Sequence, residues 1–205
     1  MEMETERGQE GAGASEHLRI VQTEVLSRAH YLLRRFTYDR RCRDGSWQRE
    51  TREAYDRGDG AAILLYDAQR RTVILTRQFR LPSYINGNED GMLIEACAGL
   101  LDGDAPDDCI RKESEEETGY RVGAPEKVFE LYMSPGAVTE RLHFYIAAID
   151  EGAKLHEGGG MSDEQEDIEV LELPFEEAIS MVRDGRIRDA KTVILLQYMR
   201  MQGLL

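Results

Sequence analysis

The chain has 205 residues, 41% hydrophobic and 32% charged, the profile of one globular domain able to bury roughly 70% of its extended surface. Its 26 Lys and Arg against 40 Asp and Glu leave a net charge of −14, which repels polyanions and excludes bulk binding of DNA or RNA. No run reaches the apolar length of a membrane span, and three cysteines (Cys42, Cys97, Cys109) without a zinc spacing fit a reducing cytoplasm.

Residues 1–16 are rich in Glu and Gly, lack the basic start and apolar stretch of a signal peptide, and are expected to form a disordered tail. Residues 31–38 and 47–55 are predicted strands joined by the turn Arg43-Asp44-Gly45-Ser46. A second hairpin is predicted from 61–66 and 72–77 across Asp67-Ala68-Gln69-Arg70. One short strand over 93–97 then leads into a loop and helix, with Asp104 as N-cap, Pro106 early in the helix and Gly119 past its end. Further strands are expected over 128–133, 142–149 and 168–173. Two helices close the chain: 174–183, with Phe175, Ala178, Ile179 and Val182 on one face, and 189–201, with Val193, Leu196 and Met199. Strands mixed with a few helices predict a three-layer α/β/α domain with a mixed sheet.

The chemistry concentrates in Glu113, Glu115, Glu116 and Glu117. Positions three and four apart share a helix face, so Glu113, Glu116 and Glu117 converge while Glu115 points elsewhere. Like charges at that spacing destabilise a helix by about 0.2–0.5 kcal/mol per pair, so stability does not explain the cluster. Hard divalent cations such as Mg²⁺ take oxygen ligands, a few carboxylates together with substrate phosphates. The run is framed by Gly99 and Gly119 and is read as a metal site.

Gly99, Glu113, Glu116, Glu117, Gly119 and Tyr120 resemble the signature of the Nudix hydrolases. Lys112 stands where that family has Arg, Ala105 where it has a Glu that braces the loop–helix junction, and Ser114 where it has an apolar residue. The segments Arg52-Glu53-x-Tyr55-Asp56-Arg57-Gly58, Arg77-Gln78-Phe79-Arg80, Asn86-Gly87-Asn88-Glu89, Ile94-Glu95-x-Cys97-Ala98-Gly99-Leu100-Leu101-Asp102, 129–136 and Arg188-Asp189-x-Lys191-Thr192 extend the likeness to the GDP-mannose-hydrolysing branch.

The resemblance implies the α/β Nudix fold over 59–205. It also implies an N-terminal antiparallel sheet over 17–58, exchanged across a homodimer. It implies Mg²⁺, or Mn²⁺ in its place, held by Glu113, Glu116, Glu117, Glu166 and the Ala98 carbonyl. Catalytic roles fall to Glu117, Glu164 and Glu166, with Glu164 as general base. Substrate contacts fall to His30, Arg52, Glu53, Arg80, Gly99, Leu100, Glu140, Gln165 and Lys191. The implied reaction is metal-dependent hydrolysis of a nucleotide sugar, GDP-mannose to GMP and mannose 1-phosphate. ADP-ribose hydrolysis and a non-catalytic nucleotide-sugar sensor are the alternatives.

Overall fold

The computed structural model describes residues 15–150, 152–161 and 166–205. The chain divides into two compact units, one of residues up to Asp59 with Tyr132–Arg141, the other of Gly60–Leu131 and Leu142–Leu205. Among the described residues no helix is long and apolar enough to cross a membrane.

The first unit is built on a three-stranded antiparallel sheet of β1 (Leu18–Arg28), β2 (Leu32–Arg41) and β3 (Trp47–Asp56), in that order. The β2–β3 turn lies where the sequence predicts it, with the Asp44 carboxylate accepting the Ser46 N–H at 2.9 Å and Gly45 at φ 85°. β1 is not predicted, because its polar run Gln22-Thr23-Glu24 and two register shifts against β2 erase the alternation that marks a half-buried strand. The dense arginines of this segment pair across strands, Arg34 with Asp56, Arg40 with Glu50 and Arg49 with Asp39, each at 2.8 Å. No residue of these three strands is fully buried.

The second unit holds a seven-stranded mixed sheet. In chain order its elements are β4 (Gly60–Asp67), β5 (Thr72–Phe79), α1 (Leu81–Ile85), β6 (Met92–Glu95), β7 (Cys97–Leu100), α2 (Pro106–Glu113), a π-helical turn Ser114–Thr118, β8 (Glu126–Tyr132), β9 (Arg141–Ala148), β10 (Glu169–Pro174), α3 (Phe175–Arg183) and α4 (Ala190–Gln202). The strand path is β10-β5-β4-β9-β8, with β6 added to β5 and β7 to β4. β4 and β9 run parallel, and the other registered pairs run antiparallel. Alternate residues of β4 point to opposite faces. Ala61, Ile63 and Leu65 pack in one cluster with Cys109 and Ile110 of α2. Ala62 and Leu64 are also fully buried, on the face where α4 meets β4.

Three expectations need correction. The predicted strand over 93–97 is two strands, because the chain leaves β5 and joins β4 at Ala96. The Ala96 amide thereby loses a ladder partner and donates to the Thr192 hydroxyl at 2.6 Å instead. The N-cap of α2 is Ala105, not Asp104, and no side chain caps it. Its start is braced by the Tyr145 hydroxyl, which donates to the Asp107 carboxylate at 2.6 Å. In α3 it is Met181 rather than Val182 that is buried with Phe175, Ala178 and Ile179.

Thr192 ties α4 to the strand crossover. Replacing it with isosteric Val keeps the packing but leaves the buried Ala96 N–H without an acceptor, so Thr192→Val is expected to lose about 1–3 kcal/mol in urea denaturation. An unchanged midpoint would contradict this assignment.

Candidate active site

The helix expected to carry Glu113, Glu116 and Glu117 forms, but it is not regular throughout. α2 is α-helical only to Glu113, and Ser114–Thr118 form a π turn that ends on Gly119 at φ 78°. Such turns concentrate at functional sites because they re-aim side chains that a regular helix would space evenly. Here Glu115 turns away and pairs with Arg121 at 3.0 Å, while Glu117 is driven inside, 2% exposed. Glu116 stays half-buried, with Lys112 at 3.7 Å.

Glu117 is held by β7: its Oε2 accepts the Ala98 N–H at 3.2 Å. Gly99, the next residue, is needed for a steric reason. A Cβ there would fall within the Glu113 side chain, with Cγ only 2.6 Å away, so the Glu113 carboxylate lies directly over the glycine. The Glu117 pKa is raised to about 7, chiefly by burial and also by the negative charges of Glu113 and Glu166, against the lowering effect of the Cys97 thiol and the Ala98 amide. Glu113, Glu117 and Glu166 are thus electrostatically coupled all-oxygen donors, the chemistry a hard divalent cation takes. Among the described residues no three His, Cys, Asp or Glu side chains are already arranged to hold a metal ion. That is compatible with Mg²⁺, whose shell is completed by water and substrate phosphates rather than by a closed protein cage.

Cations stand on the same unit. Arg80 forks onto the buried Glu95 carboxylate, with Nε–Oε1 at 3.1 Å and Nη2–Oε2 at 2.9 Å. Burial works against the Arg80 charge, but the Glu95 carboxylate outweighs it and holds the pKa above the ordinary value, with Glu117 and Asp189 adding to the effect. Lys191 lies 2.7 Å from Asp189 and 3.6 Å from Glu95. A cation in the first turn of α4 opposes the helix dipole, and these two carboxylates compensate it. Asp189 also caps α4, accepting the Thr192 N–H at 2.9 Å. Glu95 and Asp189 fall within the segments that carry the family likeness, with no site role assigned to either from the sequence. The Asp189-x-x-Thr192 spacing of an N-cap was the available signal for Asp189; burial of Glu95 had none.

The remaining predicted residues are distributed as follows. Leu100 ends β7, and its carbonyl accepts the Cys109 thiol at 3.3 Å. Burial raises the Cys97 thiol pKa and pushes that of Cys109 up to about 12, so both behave as core residues rather than nucleophiles. His30, Arg52, Glu53 and Glu140 belong to the first unit. His30 packs on Tyr31 with ring centroids 4.3 Å apart, and Glu140 is paired with Arg57 at 3.3 Å. Arg52 and Glu53 line an open depression of about 580 Å³ with Tyr38, Tyr132 and Pro135. Glu164 and Gln165 lie outside the described residues.

Comparison with known proteins adds the following. The model of the GDP-mannose pyrophosphatase NudK N-terminal domain matches residues 17–55, and that of the NUDIX domain matches residues 56–196. A GDP-mannose pyrophosphatase of Cronobacter sakazakii is 56% identical over 189 residues, 92% of this chain and 98% of that protein. One from Pectobacterium atrosepticum is 58% identical over 184 residues, 90% of this chain and 94% of its own length. One from Salmonella arizonae is 55% identical over 191 residues, covering 93% and 99%.

The raised pKa of Glu117 has a sign. Its charged form is disfavoured by the fold, so the penalty is absent below about pH 4.5, grows as pH rises and is complete above about pH 7, where it approaches 3 kcal/mol. Without metal, in chelator at pH 8, Glu117→Gln is expected to be more stable than the parent chain to urea, and the advantage to vanish by about pH 4.5. A variant no more stable than the parent at pH 8 would contradict the electrostatic account.

Proposed function

The chain belongs to the NUDIX family, and we propose that it hydrolyses the pyrophosphate bond of GDP-mannose, giving GMP and mannose 1-phosphate. The observation that carries this reading is likeness over nine-tenths of the chain to relatives named for that substrate. Mg²⁺ is the proposed cation, with Mn²⁺ as its substitute. Glu113, Glu116, Glu117, Glu166 and the Ala98 carbonyl would hold it. Bound there, it would neutralise the pyrophosphate oxygens and lower the pKa of a water molecule. Glu164 would accept the proton of the attacking water, while Glu166, two residues on, helps to hold the cation. Arg80 and Lys191, each anchored by a carboxylate, present fixed positive charge to the phosphates. Gly99 and Leu100 border the bound phosphates, and His30, Arg52, Glu53, Glu140 and Gln165 contact the nucleotide sugar.

A homodimer with exchanged N-terminal sheets is part of the proposal. Its support is that Leu18, Ile20, Val21 and Trp47 are exposed apolar residues on strands that bury nothing completely. A reducing cytoplasm is the proposed compartment, since all three cysteines are free.

Incubation with Mg²⁺ and either GDP-mannose or ADP-ribose, with products resolved by chromatography, tests the reaction. GMP is expected to form faster than AMP, and only with metal. Glu117→Gln should slow turnover at least about a hundredfold, the upper end of what losing a merely supporting residue does. Faster AMP would overturn the substrate assignment; no cleavage of either substrate would overturn the assignment as an enzyme.

A further inference from the structure

The segment between β9 and β10 contains Gly158-Gly159-Gly160, and the three have φ of 72°, 111° and 80°. Its composition reads as a flexible, acidic surface loop. Glycine takes such backbone angles without strain, so what holds these three residues is their hydrogen-bond partners.

Those partners are the last carbonyls of the catalytic turn. The Gly159 N–H donates to the Glu117 carbonyl at 2.9 Å and the Gly160 N–H to the Glu116 carbonyl at 3.1 Å. Carbonyls at a helix end have no partner within the helix, so these bonds also complete the turn. A Cβ on Gly158 would strike the Glu117 carbonyl, and one on Gly160 would strike the Glu166 carboxylate. The next amide, that of Met161, donates to Glu166 Oε2 at 3.0 Å. Farther on, the Ile168 N–H returns to the Gly159 carbonyl at 3.2 Å. Successive bonds therefore run from the backbone of Glu116 and Glu117 through two glycines to the carboxylate of Glu166.

We propose that Gly158–Gly160 is a positioning clamp that sets the Glu166 carboxylate against the turn bearing Glu116 and Glu117, and so sets the affinity of the site for a divalent cation. Glu166 reaches this position from a different part of the sequence, beyond a loop that leaves β9. Helix geometry fixes Glu113, Glu116 and Glu117 among themselves but does nothing for a fourth carboxylate on another segment. The clamp supplies that registration through backbone atoms alone, which is why it needs glycine and not a particular side chain. The inference rests on the reading of Glu166 as a ligand.

The test uses Mn²⁺ alone, without substrate, titrated into the full chain and read by electron paramagnetic resonance. Gly160→Ala is informative because the new methyl group meets Glu166 side-chain atoms first, moving the carboxylate. Met161→Pro removes the amide that Glu166 accepts and leaves every glycine in place. Gly123→Ala is the control, since a Cβ there meets nothing within 4 Å. Gly160→Ala and Met161→Pro are each expected to weaken Mn²⁺ binding at least about tenfold, as loss of a supporting contact to a metal ligand does. Gly123→Ala should bind like the parent and Glu166→Gln should bind weakly. If Glu166→Gln is weak but a folded Gly160→Ala or Met161→Pro binds normally, the clamp is wrong and the ligand reading stands. If Glu166→Gln binds normally, both fall. If neither clamp variant folds while Gly123→Ala does, the glycines serve the fold rather than the registration of Glu166, and the proposal is overturned.

Discussion

Glu117 keeps a carboxylate almost wholly out of water, beside the Ala98 amide and within the field of two more carboxylates, Glu113 and Glu166. Much of the second unit is arranged to allow this. The helix that delivers Glu117 widens into a π turn just before it, and Gly119 at positive φ then takes the chain away at once. Gly99 leaves room for the Glu113 carboxylate over β7. β7 itself begins only because the chain changes partner at Ala96, where the Thr192 hydroxyl takes the amide that the crossover strands. A buried, like-charged cluster of this kind is unfavourable by itself and becomes favourable with a bound cation, so the fold and the proposed chemistry share one electrostatic logic.

The positive groups of the unit are restrained in the same way. Arg80 is locked on Glu95, and Lys191 is shared between Glu95 and Asp189. A guanidinium fixed in a bidentate pair loses little further freedom on meeting a phosphate, and a site organised in advance need not reorganise during reaction.

The repeating features of the fold were legible in the sequence. Continuous apolar runs marked the strands of the β4–β5 hairpin, which are buried on both faces, and the turn chemistry at Asp44-Gly45 marked the β2–β3 hairpin. β1 was not legible as a strand of its own, since the polar run Gln22-Thr23-Glu24 breaks the alternation of a half-buried strand. The break at Ala96 was not legible either, because an apolar run looks the same whether it pairs with one strand or two. Within the candidate site, the spacing of Glu113, Glu116 and Glu117 and the likeness to Nudix hydrolases pointed to the candidate residues. The spacing assumed a regular helix, though, and the π turn buries Glu117 more deeply than Glu116. Glu95 and the glycines at 158–160 act through burial and backbone geometry, which side-chain chemistry read along a chain does not reveal.

The most direct test of the account is the proton count that accompanies Mg²⁺ binding, measured by calorimetry in buffers of different ionisation enthalpy. A Glu117 carboxyl with a pKa of about 7 is half protonated at neutral pH, and a cation ligand must be ionised. Binding at pH 7 should therefore release about half a proton, falling toward zero by about pH 8.5, and Glu117→Gln should abolish the release. Mg²⁺ binding without proton release at pH 7, or release that survives in Glu117→Gln, would show that the buried glutamate is not what the cation relieves.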